Sequence, residues 1–191
     1  MLQVLPTHRH FLTHPEPHRT VAHIVGEVRN LLGHDIEGVI LRAFVYKDGQ
    51  RVGVGYGTVP LQVVPHGAQT CFAIEAGVQG HTTLDGYTLT LVGYRAHQGT
   101  YHWLRLEDVS GEVLDGDYVL SGISHNDAGP LPERARAAGT LYDASGAIVD
   151  CKGGDLEHND ESDAQPFSLH FDQRQHYDDV ASWSVQALGV P

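Results

Sequence analysis

Apolar and polar residues alternate with period two along much of this chain. Phe167, Leu169 and Phe171 alternate with Ser168 and His170, and Tyr87, Leu89 and Leu91 alternate with Thr88 and Thr90. That period belongs to strands with one face buried and the other wet. Val39, Leu41, Ala43 and Val45 predict a further strand, closed by Tyr46, and Ile24, Gly26 and Val28 share a face in another. Asp48-Gly49, Asp85-Gly86 and Asp115-Gly116 read as hairpin turns, because both residue types tolerate positive φ. Gly53, Gly55 and Gly57 fall on one face of a predicted strand, where a neighbouring backbone can approach closely. The last strand, around Trp183, is expected to bury its indole. No amphipathic helical run separates the strands, which disfavours a parallel α/β fold.

The strand pattern recurs at a nearly constant interval. Gly26 and Asn30 match Gly122 and Asn126, and Tyr46 matches Tyr142, all at an offset of 96. Phe72 matches Phe167 at 95, and Leu89 and Leu91 match Trp183 and Val185 at 94. Four elements in one order predict two copies of one unit with small insertions in loops. The expected fold class is therefore all-β: two tandem immunoglobulin-like antiparallel β-sandwich units, residues 1–97 and 98–191. Each is large enough to bury a core of its own. The short junction from Ala96 to Tyr101 predicts units held close and stiffly related. Tyr46 and Tyr142 are expected to be core tyrosines with hydrogen-bonded hydroxyls.

Leu141-Tyr142-Asp143, preceded by Gly122 and Asn126 and followed by Phe167 and Leu169, resembles the bacterial FxLYD domain. Gly139 and Ala43 stand where that family has phenylalanine, and Val45 and Lys47 where it has leucine and aspartate. The resemblance covers nearly the whole chain as two tandem copies. It implies an immunoglobulin-like sandwich, export as a common destination, and no catalytic residues.

Charge divides the chain unevenly. Residues 1–97 hold seven Asp/Glu and seven Lys/Arg, whereas residues 98–191 hold seventeen and five, which accounts for the whole net charge of −12. Acidic surface favours solubility, and phosphate would be repelled by the second unit, so nucleic acid is an unfavourable partner. Cys71 and Cys151 fall at non-equivalent places in the two copies, so a bridge between them would have to cross units. Without a CxxC pair, two free thiols are expected. No stretch is long and apolar enough for a membrane-spanning helix, and no basic-then-apolar leader is visible. The literal reading is cytoplasmic; export is the alternative if Met1 is not the native start.

Candidate chemistry is sparse. His8, His10, His14 and His18 line a proline-interrupted N-terminal segment, and with His23 they are the candidate ligands for zinc or copper. Asp155, Glu157, Asn159, Asp160, Glu161 and Asp163 offer calcium-type oxygens but lack the EF-hand spacing. Ser124-His125 and Asp178-Asp179 lack a nucleophile elbow and read as surface or turn residues. The sequence thus predicts a non-enzymatic binding or structural module that meets a protein or envelope component through an edge strand or loop surface. Metal binding by the histidine segment is the alternative, and a hydrolase with an unrecognised site the last.

Overall fold

The computed structural model is all-β and describes residues 1–5, 9–16, 19–79, 83–156, 162–172 and 177–191, with 9–16, 19, 79 and 178 described through their backbone alone. In chain order the strands are β1 (Leu2–Val4), β2 (Arg9–Glu16), β3 (Arg19–Asn30), β4 (Ile36–Lys47), β5 (Gln50–Thr58), β6 (Val63–Val64), β7 (Gln69–Gln79) and β8 (Gly86–Ala96). There follow β9 (His102–Trp103), β10 (Arg105–Leu114), β11 (Asp117–His125), β12 (Arg134–Asp143), β13 (Ile148–Leu156), β14 (Ala164–Phe171) and β15 (Val180–Val190). A 3-10 turn at Tyr177–Asp179 is the helical element among the described residues.

All pairings are antiparallel. In the first half β3 lies between β2 and β7, β4 lies between β5 and β8, and β5 also pairs with β7. These strands therefore form one sheet that turns over on itself at β5. Ile24, Val28, Phe72 and Ile74 meet Val39, Leu41 and Ala43 inside, all of them fully or nearly fully buried. Burying a residue of that size contributes about 1.5–3 kcal/mol. The alternation seen in the sequence is what aims these side chains at one another across the two layers.

The second half pairs its strands in the same spatial order but as two sheets, β10-β11-β14 and β13-β12-β15-β9. Leu120, Phe167, Leu169 and Phe171 from one sheet pack on Ala137, Leu141 and Ala187 from the other, with Trp183 partly buried against them. Gly139 faces this core. A Cβ there would lie 2.9 Å from Leu169 Cδ1, 3.0 Å from Leu120 Cδ1 and 3.1 Å from Phe171 Cζ, so a phenylalanine has no room.

Matched positions have matched partners. Gly26 pairs with Phe72, and Gly122 with Phe167. A bulge precedes Tyr46 on the β4–β5 ladder and Tyr142 on the β12–β13 ladder. In the last strand the alignment shifts by two. Ala43 pairs with Leu89 and Gly139 with Val185, so these ladder partners stand 96 apart, where the sequence pattern matches Leu89 to Trp183 at 94.

Two turn expectations hold and one does not. Asp48-Gly49 and Asp115-Gly116 have positive φ throughout, the left-handed backbone that a tight hairpin requires. Asp85-Gly86 is instead the entry to β8. The Asp85 N–H donates to the Tyr46 carbonyl, and its carboxylate accepts from the Asp48 N–H and from Lys47 Nζ. Its aspartate thus braces a turn elsewhere rather than making one.

Candidate functional site

The outer faces of β3 and β7 lie against β12 and β13, forming a seam between the two halves of the chain. The cysteines meet there. Cys71 on β7 and Cys151 on β13 form a disulfide with a Cα–Cα distance of 5.8 Å, so the expected free thiols are corrected. Their non-equivalence in the two copies did not forbid a bridge, because the seam is itself asymmetric: the outer face of β7 meets the outer face of β13. Leu61 and Val63 pack with Ala138, Leu188 and Val190, extending the seam with apolar contacts. At Gly153 a Cβ would come within 2.4 Å of Pro60 Cβ, so only glycine permits that approach.

Tyr142 also belongs to the seam, not to the core expected of it. Its hydroxyl donates to Glu27 Oε1 at 2.7 Å and lies 3.3 Å from Ser184 Oγ. Burial raises the phenol pKa, and the adjacent Glu27 adds to the rise while the Ser184 contact opposes it. Tyr46 is likewise half-buried, its hydroxyl 3.4 Å from Thr88 Oγ1 on the outside of β4 and β8. Both tyrosines keep a hydroxyl contact, but each follows an inward residue, Val45 or Leu141, so the alternation of its strand turns it to the outer face.

A cleft of about 160 Å³ opens beside the disulfide, lined by His23, Glu75, Asp150, Lys152 and Asp172. His23 Nδ1 stands 3.3 Å from Glu75 Oε1. Asp150 accepts from the Cys151 N–H at 2.7 Å and from the Tyr177 hydroxyl at 3.0 Å. Burial pushes its carboxyl up to about 6, against the lowering effect of those two donors. Tyr177 is raised as well, by burial first and then by the charge of Asp150. Such a carboxyl can hold or release a proton near neutrality.

The consequence for stability has a definite sign. Asp150 ionises less readily folded than unfolded, so its cost is absent below 3.8 and grows as pH rises towards 6. The shift corresponds to about 3 kcal/mol. Denaturant unfolding of the native protein and Asp150→Asn at pH 4 and pH 7 is expected to show the difference between them changing by about that much, with the native protein relatively better off at pH 4. A pH-independent difference contradicts the assignment.

The candidates named from sequence fare unevenly. His8 and His18 lie outside the described residues; His10 and His14 are on β2, where only the backbone is described. Glu157, Asn159, Asp160 and Glu161 of the acidic loop also lie outside, while Asp155 is on β13, beside Arg136. Among the described residues no group of three or more His, Cys, Asp or Glu is placed to hold a metal. Ser124 is corrected from surface to interior: it is fully buried on β11, and its hydroxyl donates to the Gln165 carbonyl. The glycines of β5 do what their spacing predicts, admitting the β7 backbone. Among the described residues no helix is long and apolar enough to cross a membrane.

Sequence reading missed the outer face of β5-β4-β8. Ile40, Val54, Tyr56 and Val92 are exposed there. At its centre the guanidinium groups of Arg42 and Arg51 sit 4.5 and 4.8 Å from the Phe44 ring centroid. The signal was present as period two read on the opposite parity: residues 40, 42 and 44 of β4, and 54 and 56 of β5. Compared with protein-family models, curated proteins and solved structures, the chain matches none.

Proposed function

We propose that the protein is a non-enzymatic module, two copies of an FxLYD-like sandwich unit, that binds another protein through the outer face of β5-β4-β8. The observation that carries this reading is the exposed apolar and aromatic surface of Ile40, Val54, Tyr56 and Val92 around the Arg-stacked Phe44. A contiguous apolar sheet face rimmed by polar residues is characteristic of interaction sites, and Tyr and Arg are the residue types that dominate binding energy. The matched strand order and the paired bulges support the duplication. The buried Cys71–Cys151 bond supports the exported alternative, since disulfides persist in oxidising compartments.

A photo-crosslinking residue at Val54 is expected to capture a protein partner in the native host, while the same residue at exposed Glu112 does not. Adding Tyr56→Asp and Val92→Asp to the Val54 probe should reduce capture at least tenfold. Stability should change little, because neither side chain is buried. Identical products from Val54 and Glu112 would overturn the reading.

A further inference from the structure

The seam contains a second, larger cleft of about 310 Å³, where the start of β4, the end of β8 and the start of β12 come together. Three arginines line it, Arg95, Arg134 and Arg136, against one lining carboxylate, Glu37. On a chain of net charge −12 this is a local reversal of sign. The placement is a product of the fold. Arg134 and Arg136 stand two apart on β12, hence on one face, and that face is the one turned to the seam. Arg95 is the cross-strand partner of Glu37, and Gly38 beside it takes a φ of 61° where the β4–β8 register shifts.

Glu37 offsets one of the three positive charges, and its own oxygens are already engaged. Arg95 Nη2 lies 3.0 Å from Oε1, and His97 Nδ1 lies 2.8 Å from Oε2. The His97 hydrogen bond above all holds that carboxyl below its ordinary range, outweighing burial, with the charges of Arg95, His97 and Arg134 adding to it. Arg134 Nη2 makes one long bond, 3.4 Å, to the Pro191 carbonyl. Arg136 Nε lies 2.7 Å from Asp155 Oδ1, but its N–H is not directed at that oxygen; the contact is an ion pair without a hydrogen bond, to a carboxylate that is 81% exposed.

Unpartnered polar atoms gather at the same place. Six buried side-chain polar atoms among the described residues have no hydrogen-bond partner, and three of them belong to side chains lining this cleft: His97 Nε2, Arg136 Nε and Gln62 Oε1. The His97 side chain is 6% exposed. Leaving such groups unpaired is costly, and native proteins do so rarely outside functional sites. The set comprises a donor, an acceptor, and a ring nitrogen able to be either.

We infer that this cleft binds a small ligand that carries an anionic oxygen group, carboxylate or phosphate, together with a hydroxyl. The arginine forks take the anionic oxygens, since guanidinium matches both groups with paired hydrogen bonds. Gln62 Oε1 accepts from the hydroxyl. The size suits a metabolite rather than a polymer segment, lying at the small end of ligand pockets. The site is separate from the outer face of β5-β4-β8 and stands or falls independently of it.

Calorimetric titration of the full chain in low-salt chloride buffer tests this, with malate and inorganic phosphate as probes and sorbitol as the neutral control. Saturable binding of malate, of phosphate or of both is expected, with sorbitol silent; which probe binds tells carboxylate from phosphate recognition. Arg134→Gln with Arg136→Gln should weaken binding about tenfold or more. Arg51→Gln, on the distant sheet face, should leave it unchanged. Arg95→Gln provides a milder variant that folds even if the double one does not, because that side chain is 78% exposed. It should weaken binding severalfold. No saturable binding of either anion, or equal weakening by Arg51→Gln and Arg95→Gln, overturns the inference.

Discussion

Breaking the Cys71–Cys151 bond is expected to lower the stability of the folded chain by about 4 kcal/mol. The two residues are 80 apart in sequence, so the bond closes a long loop and removes much of the freedom of the unfolded chain. For a chain of this length the loss corresponds to a fall in melting temperature on the order of 10 °C. Both cysteines are buried, 1% and 5% exposed, so serine replacements would add the cost of burying hydroxyls. Cys71→Ala with Cys151→Ala is the better comparison. Urea unfolding of the oxidised protein, the reduced protein and this double variant should give one high midpoint and two similar low ones. The cores themselves should survive, because Ile24, Leu41 and Phe72 lie in one cluster and Leu120, Leu141 and Phe171 in another, neither of which includes a cysteine. Equal midpoints for oxidised and reduced protein would show that the bond carries none of the seam's strength.

How far the sequence discloses this arrangement depends on the range of the interaction concerned. Period two is a property of neighbours, so the Phe167, Leu169, Phe171 strand and the Leu89, Leu91 strand were legible, and both point their apolar residues inward. Turns that rest on their own backbone were legible too, as at Asp48-Gly49. Asp85-Gly86 misled because its aspartate serves a turn 37 residues away, which no local pattern records. The seam was the least legible part. Its residues, Cys71, Glu27, Tyr142 and Arg136, sit on the parity opposite to the core, where a strand read alone looks wet. The core expected of Tyr142 and the free thiols expected of the cysteines fail for one reason: the layers that meet in the seam face a core on one side and each other on the other. The two arginines of β12 carried a usable signal, since a half with only five Lys/Arg places two of them on one strand face. What they face could come only from the fold.

Substituting Gly57 should be the most damaging single change in the first half. Strand β5 is where the sheet of that half turns over, and its glycine face lies directly on the backbone of β7. A Cβ at Gly57 would fall 2.2 Å from the Ala73 carbonyl oxygen, and one at Gly55 would fall 2.3 Å from that of Glu75. Backbone atoms in a ladder cannot retreat as the end of a flexible side chain can, so the strands must separate. The Tyr56↔Glu75 and Gly55↔Ala76 pairings are then lost, and with them the closure that brings Leu41 and Ala43 over Ile24 and Phe72. Gly57→Val is expected to cost about 4 kcal/mol or more, in the range that single changes seldom reach. Gly57→Ala, with one methyl group, should show the same direction at a smaller size and keep enough folded protein for a denaturant curve. Gly93→Ala on β8 is the matched comparison: nothing lies within 4 Å of its added Cβ, and its φ is not positive. It should change stability by less than about 1 kcal/mol. If Gly57→Ala and Gly93→Ala unfold at the same urea concentration, β5 does not close on β7 as tightly as these distances require, and the first half is held together some other way.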